Sequence, residues 1–180
     1  MSDATYHVVL LVEQEMSRAD AAQVRSLHEG LGQPVTYHVL LPLEDAAARI
    51  EASMGSLASG EVLAAPSMAM SEADLQAVRH DCEERSASEL AATLAALRAV
   101  GATAEGRVVE DPPIDALQAL VTELDAGEAI ILTRPHVVAE FFHVDWTSKA
   151  RRKIGVPVLH LLEHESFDEQ AGGGEGISGL

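Results

Sequence analysis

Five strand-like runs, separated by stretches with helical spacing, constrain this chain more than any other feature. Tyr6 to Glu13 reads YHVVLLVE, Val35 to Leu43 reads VTYHVLLPL, Ala129 to Thr133 reads AIILT and Val156 to Leu162 reads VPVLHLL. Nearly unbroken apolar runs of this length suit strands covered on both faces, because a strand with one wet face alternates polar and apolar residues. Thr103 to Glu110 (TAEGRVVE) is a shorter run of the same kind. Helix signals lie between the runs. Ser17 to Leu31 places Val24, Leu27 and Leu31 on one stripe, with Gly32 as a stop. Ser71, with Asp74 three residues later, has the wording of a capping box. It opens a long helix to Val100 that carries Leu75, Val78, Cys82, Leu90, Leu94 and Leu97 inward before Gly101 ends it. Asp111 offers an N-cap with Pro112 at the first helical position. The helix Ile114 to Leu124 then packs Leu117, Leu120, Val121 and Leu124, and Val137 to Ile154 is expected to be mostly helical. Strands alternating with helices predict parallel βαβ crossovers. The expected fold is α/β: a single-domain, doubly wound, five-stranded parallel sheet with helices on both faces, Rossmann-like in its architecture.

The 180 residues suit one domain, expected over 1–163, with an acidic, glycine-rich disordered tail over 164–180. Between Glu44 and Met70 the pattern is ambiguous, with a short helix over Asp45 to Met54 followed by a small-residue loop. Aromatics are 3% of the chain, so the core must be built from Val, Leu, Ile and Ala. The formal charge of −17 repels phosphate backbones and anionic lipid, which argues against nucleic acid or membrane as a partner. Cys82 is the only cysteine, so no internal disulfide can form, and a reducing, cytoplasmic setting is expected. No basic segment followed by a long apolar run opens the chain, which agrees with that setting.

The stretch from Ser71 to Leu162 resembles the universal stress protein family. The wording that carries the resemblance is LRAVGATAEGRVVEDPPIDALQALVTELDAGEAIILTRP, followed at the end by ARRKIGVPVLHL. In that family a helix, a strand ending in a VVEGDP-like turn, a helix and an ADLIVMGSRG-like strand occur in this order, and Pro-Val-Leu begins the last strand. HVVLLVE also stands where the family's first strand does, so the resemblance covers most of residues 6 to 163. It implies a homodimer, made through the last strand Val156 to Leu162. It also implies an ATP loop after the fourth strand, patterned Gly-x2-Gly-x9-Gly-Ser/Thr. Here that spacing falls on Thr133, His136, Trp146 and Thr147, of which only Thr147 fits. Counting back from Gly155 moves the last pair to Val144 and Asp145. In either register the cradle is missing, because no glycine lies between Glu128 and Ile154. Glycine is needed there so that backbone amides can approach phosphate. The family's adenine-facing aspartate is matched by Glu13. The chain therefore reads as a divergent member lacking the glycine-rich loop. No cofactor is expected, and ATP or AMP is disfavoured.

The most unusual segment is TRPHVVAEFFHVDW, Thr133 to Trp146. It sets Arg134, His136, His143, Asp145 and Trp146 just beyond a strand's carboxyl end, where open α/β sheets bind ligands. Arg134 suits an anion, or else pairs with a nearby carboxylate. His136 and His143 are two helical turns apart, too far for one ion, and no metal site is expected. Phe141, Phe142 and Trp146 line a ligand pocket, form an oligomer contact, or fill core. Lys149, Arg151, Arg152 and Lys153 complement a helix dipole, or meet phosphate or an acidic partner. Cys82 reads as buried core, and nothing marks His7, His38 or His160 as catalytic. No nucleophile elbow, Walker lysine loop, Gly-x-Gly-x-x-Gly or Cys-x-x-Cys occurs, so no enzyme chemistry is expected. Two readings remain. One is a non-enzymatic stress-response regulator. The other is a small-molecule or nucleotide-binding module, even an enzyme, whose contacts are Glu13, Thr133, Arg134, His136, His143, Asp145, Trp146 and Thr147.

Overall fold

In the computed structural model, which describes residues 5–44, 71–133 and 152–163, each strand-like run joins one sheet. The strands are β1 (Tyr6–Val12), β2 (Val35–Pro42), β3 (Thr103–Val109), β4 (Glu128–Thr133) and β5 (Val158–Leu162). They lie in the order β3-β2-β1-β4-β5, and every neighbouring pair is parallel. β1 is central, which explains its unbroken apolar wording: Val8, Val9 and Leu10 are all fully buried.

Alternate residues feed two cores. Val8, Leu10, Val12, Tyr37 and Val39 pack with Ala21 and Val24 of α1 (Arg18–Ser26) and Leu97 of α2 (Glu72–Ala99). On the other face, Val9, Leu11, Leu40 and Ile131 pack with Leu117, Leu120 and Val121 of α3 (Pro113–Leu124). Each fully buried Leu, Val or Ile contributes about 1.5–3 kcal/mol of apolar transfer. The connection through α1 leads outward from β1 to β2. The connection through α3 returns from β3 past β1 to β4, on the opposite face. The order therefore reverses between β1 and β4, and their carboxyl ends are the switch point of the fold.

Three local expectations are corrected. α1 ends at Ser26 with Leu27 as its C-cap, so Leu27 and Leu31 are 37% and 40% exposed and form no buried stripe. The inward residue of that turn is His28, which is buried because partners on two strands satisfy both of its ring nitrogens. Leu75 is also exposed. α2 has 28 residues, about 42 Å at 1.5 Å each, whereas a seven-residue strand spans only about 23 Å, so its first turns overshoot the sheet. Its capping box forms as read: Ser71 Oγ accepts from Asp74 N–H, and Ser71 N–H donates to the Asp74 carboxylate. At α3 the N-cap is Pro112, one residue later than Asp111, with Pro113 at the first helical position. Pro113 lacks an N–H that would be idle there, and it holds Pro112 in extended backbone.

The expected helix from Val137 is described only at its end, where 152–154 are helical. The segment 45–70 and the tail 164–180 lie outside the described residues. Among the described residues, no helix is long and apolar enough to cross a membrane.

Candidate functional site

A cavity of about 720 Å³ opens at the switch point. Its floor is the carboxyl ends of β1 and β4: Leu11, Val12, Ile131, Leu132 and Thr133. Glu13 and Gln14 leave β1 at its rim, and Pro42, Leu43 and Glu44 leave β2. Arg85, Ser86 and Glu89 of α2 form one wall, and Pro112, Pro113 and Ile114 at the start of α3 form another. The overshoot of α2 brings its middle turns, rather than its first, to the edge of the sheet.

Each polar group has a local reason for its position. Glu13 N–H donates to Leu132 O at 3.3 Å, which prolongs the ladder between β1 and β4 and aligns Glu13 beside the floor. Glu163 N–H donates to Thr133 O at 2.9 Å and does the same between β4 and β5. Gln14 Nε2 donates to Glu163 Oε2 at 2.5 Å, tying the turns after β1 and β5 together across β4. Thr133 Oγ1 is 2.8 Å from His160 Nε2. Burial lowers the pKa of His160, so this ring favours the neutral form. On the other rim, Glu44 N–H donates to the buried Ser86 Oγ at 3.2 Å, and Arg85 Nε lies 3.5 Å from Glu44 Oε2.

Among the described residues the walls are mainly apolar, and three carboxylates (Glu13, Glu44 and Glu89) face one guanidinium. A phosphate would gain little from the described residues. Arg85 is already engaged with Glu44, and the start of α3 is poor in donors. Pro113 has no N–H, and the N–H groups of Asp115 and Ala116 both turn back to Pro112 O. The arrangement suits a neutral or cationic molecule with apolar surface.

Of the residues singled out in the sequence, the structure brings Glu13 and Thr133 to this cavity. Arg134, His136, His143, Asp145, Trp146 and Thr147, like Phe141 and Phe142, lie outside the described residues. In the basic cluster, Lys153 pairs with Asp115 in the first turn of α3, and Arg152 is exposed. Cys82 is buried, as its position on the long helix implied. Sequence reasoning missed Gln14, Arg85, Glu89, His160 and Glu163. The available signal for Gln14 and Glu163 was position, since each directly follows a strand-like run as Glu13 does.

Solved structures share this architecture. The universal stress protein from Archaeoglobus fulgidus is 15% identical, covers 86% of this chain and 92% of its own, and superposes with a TM-score of 0.50. The hypothetical protein MJ0577 is 12% identical, with 91% of this chain and all of its own covered, at a TM-score of 0.55. A universal stress protein family protein from Arabidopsis thaliana, solved with AMP bound, is 10% identical over 87% of this chain and 92% of its own, at 0.48. No family model and no curated protein matches the sequence. At such identities the likeness is one of fold. The chain has a universal-stress-protein-like α/β fold.

Proposed function

We propose that this protein is a non-enzymatic regulator of the universal stress protein type, which senses a small neutral or cationic molecule at the switch point and does not hold ATP in a glycine cradle. The observation that carries the reading is the cavity over the carboxyl ends of β1 and β4, with three carboxylates, one engaged arginine and a proline-blunted helix start among the described residues. The sequence supports it, because no glycine between Glu128 and Ile154 can serve a phosphate loop. The absence of any catalytic motif in the sequence supports a binding role over turnover. A cytoplasmic homodimer completes the proposal. β5 is a sheet edge paired only with β4 among the described residues, and an open apolar edge favours pairing with a second copy.

Titration calorimetry with magnesium ATP and, in parallel, adenosine tests the site. Adenosine is expected to bind at least as well as ATP, whose phosphates meet the carboxylates. Micromolar ATP binding with no adenosine binding would sink the proposal. Sedimentation of the same sample reads the assembly, and a monomer at that concentration removes the dimer.

A further inference from the structure

A second polar constellation lies away from the cavity, on the sheet face covered by α3. His7 of β1, His38 of β2 and Glu105 of β3 form a row across three strands, aligned by the registers His7↔Thr36 and His38↔Glu105. His7 Nδ1 and His38 Nε2 are 2.9 Å apart, and His38 Nδ1 is 2.9 Å from Glu105 Oε1. The row is wet at one end and dry within: the side chain of Glu105 is 70% exposed and that of His38 only 7%. A small opening of about 180 Å³, lined in part by His38, Glu105, Arg107 and Leu120, meets the His38–Glu105 end of the row.

The carboxylate can only accept, so His38 carries its proton on Nδ1 and turns the Nε2 lone pair toward His7. In the empty pair, His7 fills that lone pair with its own Nδ1–H. Tetrahedral zinc bonds of about 2.0–2.1 Å would set two ligand nitrogens about 3.3 Å apart, a few tenths of an ångström beyond the present separation. A carboxylate gripping the far nitrogen of a ligating histidine is the usual outer support of a zinc site.

We propose that His7 and His38 form a two-histidine site for a borderline divalent cation such as Zn²⁺ or Cu²⁺, with Glu105 orienting His38 and water at the partly exposed His7 completing the coordination. Among the described residues, no group of three or more His, Cys, Asp and Glu side chains can hold a metal ion, so the site has two protein ligands and is weaker than a closed four-ligand site. The cation takes the lone pairs of His7 Nδ1 and His38 Nε2. The proton that His7 holds on Nδ1 moves to its Nε2 or to water. Arg107 at the rim opposes the incoming charge, and Glu105 offsets it.

The test is zinc titration of the untagged full chain at neutral pH against a chromophoric chelator, with copper electron paramagnetic resonance as a count of nitrogen ligands. One zinc ion is expected, with affinity lost in His7→Gln and in His38→Gln and kept in His80→Gln, whose exposed His80–Glu84 pair is the control. Glu105→Gln should weaken binding by about tenfold or more, and His7→Gln should remove a nitrogen from the copper spectrum. No binding up to millimolar zinc, or binding unchanged in His7→Gln, overturns the proposal. His7 is only partly buried, so its variant decides the matter even if His38→Gln does not fold.

Discussion

The two ends of the sheet differ more than its two faces do. At the carboxyl edge β1 leads into α1 on one face while β4 is reached through α3 on the other, and the 720 Å³ cavity lies over the ends of the two strands. At the amino end β2 and β4, the two neighbours of β1, are bolted together. His28 Nε2 lies 2.5 Å from Glu128 Oε1 at the start of β4, and its Nδ1 lies 2.8 Å from the Tyr37 hydroxyl on β2. The carboxylate only accepts, so Nε2 carries a proton, while Nδ1 meets both the Tyr37 hydroxyl and, at 3.2 Å, the Val24 carbonyl. A Cβ on Gly127 would lie 2.2 Å from the Tyr6 ring, so the turn into β4 presses directly on the start of β1. The sheet is thus clamped at its amino end and opens onto the cavity at its carboxyl end, which separates the work of holding the fold from the work of meeting a ligand.

The amino-end clamp should break most visibly at His28. His28→Ala strands a carboxylate and a buried hydroxyl together, and should cost about 2–3 kcal/mol in denaturant unfolding. A cost below about 0.5 kcal/mol, the scale of a surface change, would show that the amino end is no clamp. An effect of comparable total size, spread over about two pH units, is expected from alkali. Burial first, and then the Glu128 carboxylate, push the Tyr37 pKa from 10.0 up to about 12. The folded value lies above the unfolded one, so the contribution is complete below pH 10 and is lost as pH rises toward 12. Stability should fall by up to about 1.4 kcal/mol per pH unit in that window, and Tyr37→Phe should flatten the fall. An equal slope in the variant would assign it elsewhere. The smallest effect belongs to the carboxyl edge. Arg85 is half exposed and its ion pair is long, so Arg85→Ala should change stability by less than about 1 kcal/mol. A larger loss would give the rim a structural duty that the comparison denies it.

The sequence made the sheet legible because strands buried on two faces are written as apolar runs, and Ser71 with Asp74 spelled out a real cap. It misled at Leu27 and Leu31, which keep helical spacing after the helix has ended, because periodicity cannot register that His28 has better partners inward. Glu13 and Thr133 were legible as the residues where strands stop. Gln14 and Glu163 were not, since 149 residues separate them and only the sheet order brings them together. Arg85 and Glu89 were hidden for a different reason. Which turn of a long helix meets the sheet edge depends on how far the helix slides along it, and no spacing in the chain records that offset. The row of His7, His38 and Glu105 depends likewise on strand register, which parallel crossovers of variable length leave unwritten.

The overshoot of α2 also has a mechanical side. The helix is pinned near its end, where Leu97 is fully buried and Thr93 Oγ1 accepts the Met16 N–H at 3.0 Å. Measured from Leu97, Glu89 lies about 12 Å along the axis and Glu72 about 38 Å at 1.5 Å per residue. A rigid tilt about that pivot therefore moves the exposed first turn about three times as far as the cavity wall, so a displacement too small to notice at Glu89 is displayed, enlarged, on the surface.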